Sequence, residues 1–178
     1  IMKWAPDDVV GVIVAGGNNF GNALNQLNNP YDVAVDSSEN VFVTDWSNHR
    51  VMKWAPSATV GVSILGYTYY PFAIDLDSLG NIYLSHHYWH SVKKYTLSGS
   101  SYSNSTIIGT QNSNGSSLTQ LYYPTGVHVD SSGNVYVADQ SNNRIIKLQA
   151  SPEIKIASGE TTGTVTFTSL SDFDDEDD

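Results

Sequence analysis

The 178-residue chain contains no cysteine, which removes disulfides, thiolate metal sites and cysteine nucleophiles together. It is also poor in positive charge: eight Lys and Arg stand against eighteen Asp and Glu, a formal net charge of −10. Binding to a phosphate backbone needs a basic stripe. None is visible, so no nucleic-acid partner is expected. No apolar run approaches the ~18 residues of a membrane-spanning helix, so no membrane insertion is expected either. The first twenty residues lack the basic start and apolar run of a secretory leader. The chain does not begin with Met, so that observation leaves an upstream leader open. Ala, Glu and Lys, which fill helix surfaces, are scarce beside Gly, Asn, Ser and Thr, a bias toward short strands and tight turns.

What is present is repetition. The opening IMKWAP returns as VMKWAP at Val51 to Pro56. Three longer segments align without gaps: PYDVAVDSSENVFVTDWSNHRVMKW from Pro30, PFAIDLDSLGNIYLSHHYWHSVKKY from Pro71 and PTGVHVDSSGNVYVADQSNNRIIKL from Pro124. The Pro-to-Pro distances are 41 and 53 residues, the second lengthened by a Ser/Asn-rich insert around Gly99 to Gly115. In the first copy, alternation predicts strands at Val33 to Val35, Val41 to Val43, Val51 to Trp54 and Val60 to Leu65. Turns are predicted at Asp36 to Asn40 and Asp45 to His49. Gly80 and Gly133 suit a positive φ in the first turn, and Glu39 takes that place in the first copy at a cost of roughly 1 kcal/mol. Four strands in a unit of about 40 to 50 residues form one propeller blade.

This pattern resembles the NHL repeat, whose blades read approximately P-x-G-V-A-V-D-x-x-G-N-V-Y-V-A-D-x-x-N-N-R-V. The likeness is closest at Pro124 to Ile145, good at Pro30 to Val51 and degraded at Pro71 to Val92. It implies an all-β partial β-propeller over residues 1–150: a blade remnant at 1–29 and four-stranded antiparallel blades starting at 30, 71 and 124. Since such propellers usually close with about six blades, the remaining blades are expected elsewhere in a longer chain. The family includes an amidating lyase that holds a metal with histidines directly after the repeat's Pro. Tyr31, Phe72 and Thr125 stand there instead, which takes away that enzyme's main support.

Residues 151–178 read differently. Two alternating stretches, Glu153 to Ala157 and Gly163 to Ser169, predict a β-hairpin. The segment resembles the closing strands of Calx-β-like domains, which implies Ca²⁺ binding by Asp172, Asp174, Asp175, Glu176, Asp177 and Asp178. On the residues alone, that run is a solvated acidic tail.

Within the blades, Asp45 and Arg50 recur as Asp139 and Arg144, while the middle copy has His86 and Ser91. The joint change predicts a side-chain contact across the second turn. The reading is a structural ion pair, which at an exposed site contributes about 1 kcal/mol or less. His86, His87 and His90 could bind Zn²⁺ or Ni²⁺, but they occupy a place where a blade needs only a turn. Asp75 and His128 sit on inner strands and could form a polar site near the channel. Trp4 and Trp54 share one strand position and are expected to pack between blades. The loops opening on one face vary most between copies: Tyr31, Phe72 and Thr125 on one, Trp46, His87 and Gln140 on the other. Exposed aromatics on a rigid face suit recognition. The expected function is therefore a non-enzymatic module of a larger secreted or cell-surface protein, binding protein or glycan. The alternative is a propeller enzyme, a metal-dependent lyase or lactonase-like hydrolase, with its site in the channel.

Overall fold

The computed structural model describes residues 1–150. The expected hairpin and the acidic residues Asp172 to Asp178 lie outside the described residues. The fold is all-β. Strands β1 (Met2–Lys3) and β2 (Val12–Ile13) pair; β3 (Pro30–Val35), β4 (Val41–Asp45), β5 (Arg50–Trp54) and β6 (Val62–Leu65) form a four-stranded antiparallel sheet. A second such sheet contains β7 (Pro71–Leu76), β8 (Ile82–His86), β9 (Ser91–Ser98) and β10 (Ser101–Gly109). A third contains β11 (Pro124–Val129), β12 (Val135–Asp139) and β13 (Arg144–Leu148). Each sheet is a meander, and β3, β7 and β11 lie side by side, as the inner strands of successive blades do.

The expected strands of the first two blades are present, with small shifts; the blade starting at 124 has three strands among the described residues, not the expected four. The fourth strand of the first blade begins at Val62 rather than Val60. The Ser/Asn-rich insert resolves into two parts. Its first part is β10, joined to β9 by a two-residue turn with Gly99 at φ 61°. Its second part is a loop that precedes β11. The echo of IMKWAP is structural as well: Lys3 pairs with Val12 as Lys53 pairs with Val62. Gly11 and Gly61 each lie under an indole ring, that of Trp4 and of Trp54, where an added Cβ would sit within 2.6 Å of a ring carbon. Trp54 is 1% exposed and packs between blades as expected, whereas Trp4 is 55% exposed.

Blades meet through apolar faces. Phe42, Val51 and Leu65 of the first interdigitate with Ile74, Ile82, Leu84 and Tyr95 of the second. Tyr83, Val92 and Ile108 of the second meet Val129, Val135, Val137 and Ile146 of the third. Because the middle strands are covered on both sides, β4 and β8 read as almost continuous buried runs. Inner strands are also tied by carboxylates. Asp32 accepts the N–H of Val33 at 2.8 Å and of Ile74, in the next blade, at 2.9 Å. Asp75 repeats this with Leu76 and with Val129 of the third blade, both at 2.8 Å.

At one end of each blade the chain reverses on an Asx turn. Asp36 accepts N–H bonds from Ser38 and Asn40, and Asp77 and Asp130 do the same in their copies. Glu39 adopts φ 61° where Gly80 and Gly133 have 78° and 82°, so the turn keeps its geometry.

The Asp/Arg pair is not at an exposed site. Asp45 and Asp139 are fully buried, so the surface estimate is corrected. Arg50 Nε donates to Asp45 Oδ2 at 2.7 Å, and its other nitrogens donate to the carbonyls of Asn22, Ala23 and Gln26. Asp45 Oδ1 accepts the N–H of Asn28, while the Asn48 amide bridges Asp45 to the carbonyl of Gly21. The third blade copies this clamp with Asp139, Asn142 and Arg144 on Gly115, Ser116, Ser117, Gln120 and Tyr122. The clamped loops share a pattern, FGNALNQLNNP and NGSSLTQLYYP. The loop before β7 is only five residues, 66–70, and is tied by the carbonyl and ring nitrogen of His49 rather than by an arginine; there the clamp residues are replaced by His86, Trp89 and Ser91.

Two stability outcomes follow. Arg50→Ala leaves a buried carboxylate without its cation and should destabilise by about 3–5 kcal/mol in urea unfolding; a loss below about 1 kcal/mol would return the pair to surface status. Glu39→Gly relieves a left-handed non-glycine residue and should stabilise by about 0.5–1 kcal/mol in the same assay, an effect that would be absent if the turn were unstrained.

Candidate functional site

The end of the blades opposite the Asx turns is built from the loops preceding β3, β7 and β11 and from one-turn 3₁₀ segments, Trp46–Asn48, His87–Trp89 and Gln140–Asn142. Each 3₁₀ turn closes on a left-handed residue, His49, His90 or Asn143, at φ 54°, 52° and 54°. The residue before each inner-strand proline is left-handed too: Asn29, Tyr70 and Tyr123 at φ 51°, 47° and 51°. For tyrosine that conformation costs of order 1 kcal/mol. It is held from the neighbouring blade: His49 Nδ1 accepts the N–H of Tyr70, and His90 Nδ1 that of Tyr123, each at 3.1 Å. Those bonds put the ring proton of each neutral imidazole on Nε2.

These turns bring four of the six expected contact residues together. Tyr31 lies 5.3 Å from Trp46 and 4.4 Å from Phe72, and Phe72 stacks on His87 at 4.9 Å, centroid to centroid. His87 stacks on Tyr123 at 4.8 Å, and its Nδ1 lies 3.3 Å from the Pro124 carbonyl. Thr125 and Gln140 occupy the matching places of the third blade but bring no ring to the cluster; Gln140 is exposed. A second path, which the sequence comparison missed, runs Trp46–Tyr70–Tyr69–Trp89, with Tyr88 against Tyr70 and Tyr123. Its signal was present in GYTYY and HYWH, where the middle copy departs from its neighbours. A depression of about 450 Å³ lined by Asn29, Pro30, Tyr31 and Trp46 opens at one side of the cluster. The larger concavity, about 680 Å³, lies away from it, between β10, Leu148 and the loop at Ser117 to Gln120.

The segments forming this face, 28–31, 46–49, 66–72, 87–90, 122–125 and 140–143, contain no Asp, Glu, Lys or Arg. The nearest cation on the rings is Lys93, over the Trp89 ring at 4.9 Å.

The histidines are accounted for one by one. His86 takes the place of the clamp aspartate and is fully buried, with Nε2 3.2 Å from the Tyr95 hydroxyl and its ring stacked on Trp89. Burial pushes its pKa down to about 4. Burial also lowers His87 and His90. No grouping of three potential metal ligands occurs among the described residues, so the His86, His87 and His90 set does not converge on a metal position. Asp75 and His128 do meet, Oδ2 to Nδ1 at 2.7 Å. The same oxygen holds the Val129 N–H, and Asp32 performs that inter-blade task without a histidine.

Residues 27–54 and 121–148 match the NHL repeat. No curated protein matches the chain. Similar solved structures are β-propellers. One is an auxiliary nutrient binding protein from Bacteroides ovatus ATCC 8483, at 12% identity and TM-score 0.62, covering 76% of this chain and 40% of that one. Another is a structural genomics protein of unknown function from Bacteroides thetaiotaomicron VPI-5482, at 17% identity and TM-score 0.56, covering 66% and 34%. A third is virginiamycin B lyase from Staphylococcus aureus, at 12% identity and TM-score 0.50, covering 72% and 44%. The chain thus spans less than half of each. The resemblance of residues 151–178 to Calx-β-like domains finds no support in these matches.

The buried His86 makes stability depend on pH. Its folded pKa, about 4, lies below the ordinary value of 6.5, so the folded state holds the proton less tightly. The contribution is intact above pH 6.5 and is lost as pH falls toward 4. The sign is destabilisation by about 2 kcal/mol between pH 7.5 and 5 from this residue alone. Urea unfolding across that range should show it, and His86→Gln should flatten the slope; an unchanged slope in the variant would assign the effect elsewhere.

Proposed function

We propose that the uncharged aromatic face is a recognition surface, and that the chain is a non-enzymatic binding module of a larger secreted or cell-surface protein. One observation carries this reading: adjoining rings from successive blades, several of them exposed, are held on strained, cross-braced loops. Tyr31, Tyr69 and Tyr88 are each about half exposed, at 51%, 46% and 47%. Exposed apolar area of this kind is normally limited on a surface unless it binds something. Tyr and Trp supply large contact area at low entropic cost. Bracing by His49 and His90 preorganises the loops, which lowers the ordering cost of association. That one similar structure is a nutrient binding protein agrees with a ligand-binding role.

The ligand is protein or glycan. The enzyme alternative, a metal-dependent lyase or lactonase-like hydrolase, would draw on Asp75 and His128. Asp75 is already engaged by two backbone N–H groups and the imidazole, which leaves it poorly placed to act as a base.

The test is a panel of extracellular proteins and glycans probed with the wild-type chain and with a Trp46→Ala/Tyr88→Ala variant, folding being checked by circular dichroism. Ligands of the wild type should lose roughly tenfold or more in affinity with the variant. A ligand held equally by both would contradict the assignment of this face.

A further inference from the structure

We infer that the ligand of the aromatic face is a neutral saccharide chain, an inference that rests on the recognition reading above. Three independent features of the face point there.

The first is the state of the tyrosine hydroxyls. Inside the blades, Tyr83, Tyr95, Tyr102 and Tyr136 each place their hydroxyl within reach of a protein partner: Asp77, His86, the Gly80 carbonyl and Asp130. On the face, the hydroxyls of Tyr31, Tyr69 and Tyr88 make no hydrogen bond to any described residue. Each can both donate and accept, which is the capability that matches the hydroxyls around a sugar ring. The face thus pairs flat apolar rings with unused phenols at their edges.

The second is charge. Residues 1–150 hold seven Lys and Arg and ten Asp and Glu, yet the six separate segments that converge on this surface hold none. An anionic glycan would meet no Arg or Lys among these segments able to pair with its carboxylates or sulfates. A protein partner would find no formal charge in these segments and only Lys93 against the rings, although charge complementarity is the usual source of specificity and fast association. A neutral pyranose needs neither. Its C–H groups carry slight positive charge and pack on the negative face of an aromatic ring, while its hydroxyls bond at the ring edge.

The third is shape. Trp46, Tyr31, Phe72, His87 and Tyr123 form a track in which adjacent rings lie 4.4–5.3 Å apart, Tyr31 exposed and the other four half-buried. The track crosses all three blades, so it suits an extended chain better than a compact ligand. It begins at the depression of about 450 Å³ beside Trp46, within the size range that holds a small ligand.

The experiment is affinity electrophoresis and calorimetry of the whole chain. The neutral probes are a β-1,3-glucan, a soluble β-1,4-glucan, a mannan, an arabinoxylan and a galactan; the charged probes are polygalacturonate and dextran sulfate. Trp46→Ala, Tyr88→Ala and Tyr31→Phe are run alongside, the last removing a single hydroxyl without disturbing packing. The expected result is binding of at least one neutral polysaccharide, weakened roughly tenfold or more by Trp46→Ala or Tyr88→Ala. Tyr31→Phe should weaken it a few-fold, roughly the effect of one neutral hydrogen bond. Binding confined to the charged polymers, or to none, overturns the saccharide inference. If a protein ligand is then lost through the same substitutions, the face remains the recognition surface and only the ligand class is wrong. Neutral polysaccharide binding that all three variants retain overturns both.

Discussion

The buried carboxylate at the end of the second strand governs this structure. Asp45 and Asp139 have no access to water, and each is neutralised by an arginine that reaches back along the chain. A carboxylate in that position is tolerated only with a complete set of donors. The arginine meets that need with one nitrogen and spends the others on carbonyls of the loop that precedes the inner strand. The pair therefore fixes loop, inner strand and 3₁₀ turn as one unit. Tyr31 rides on the first of these units, and Trp46 opens its 3₁₀ turn.

The middle blade shows what happens when that constraint is lifted. Its preceding loop is short, so no clamp is required, and the buried aspartate becomes a buried neutral histidine. The place of the clamp asparagine becomes Trp89, whose ring stacks on His86 and Tyr69. Removing two charges and an amide from this end of the blade leaves space that aromatic rings occupy. The candidate site is thus centred on the blade that departs most from its repeat. Departures from local consistency are where function is expected to sit.

Much of this was legible in the sequence, and the reasons are specific. The strands were readable because period-two alternation is a direct consequence of a pleated backbone, and the Asx turns because Asp and Asn at fixed offsets can close on their own backbone. The joint change of Asp/Arg to His/Ser foretold a contact. Its burial was not legible, because nothing in residue types tells an exposed pair from one roofed by a loop. Four of the six proposed contact residues adjoin; Thr125 and Gln140 bring no ring. Tyr69, Tyr70 and Tyr123 were overlooked because they precede the aligned segments, and Tyr88 because its counterparts, Ser47 and Ser141, carry no ring. Their convergence depends on left-handed backbone before proline, a feature that tyrosine does not advertise.

Whether the aromatic face is the place of recognition can be measured without assuming an affinity. Hydroxyl-radical footprinting of the whole chain, with and without the neutral polysaccharide that binds it best, reports solvent access at each aromatic side chain. The account predicts protection of Tyr31, Tyr69 and Tyr88, and an unchanged rate at Trp4, which is exposed on a different element. Protection at Trp4, or at Leu118 and Leu148, which line the larger concavity, with the face tyrosines unaffected, would contradict it.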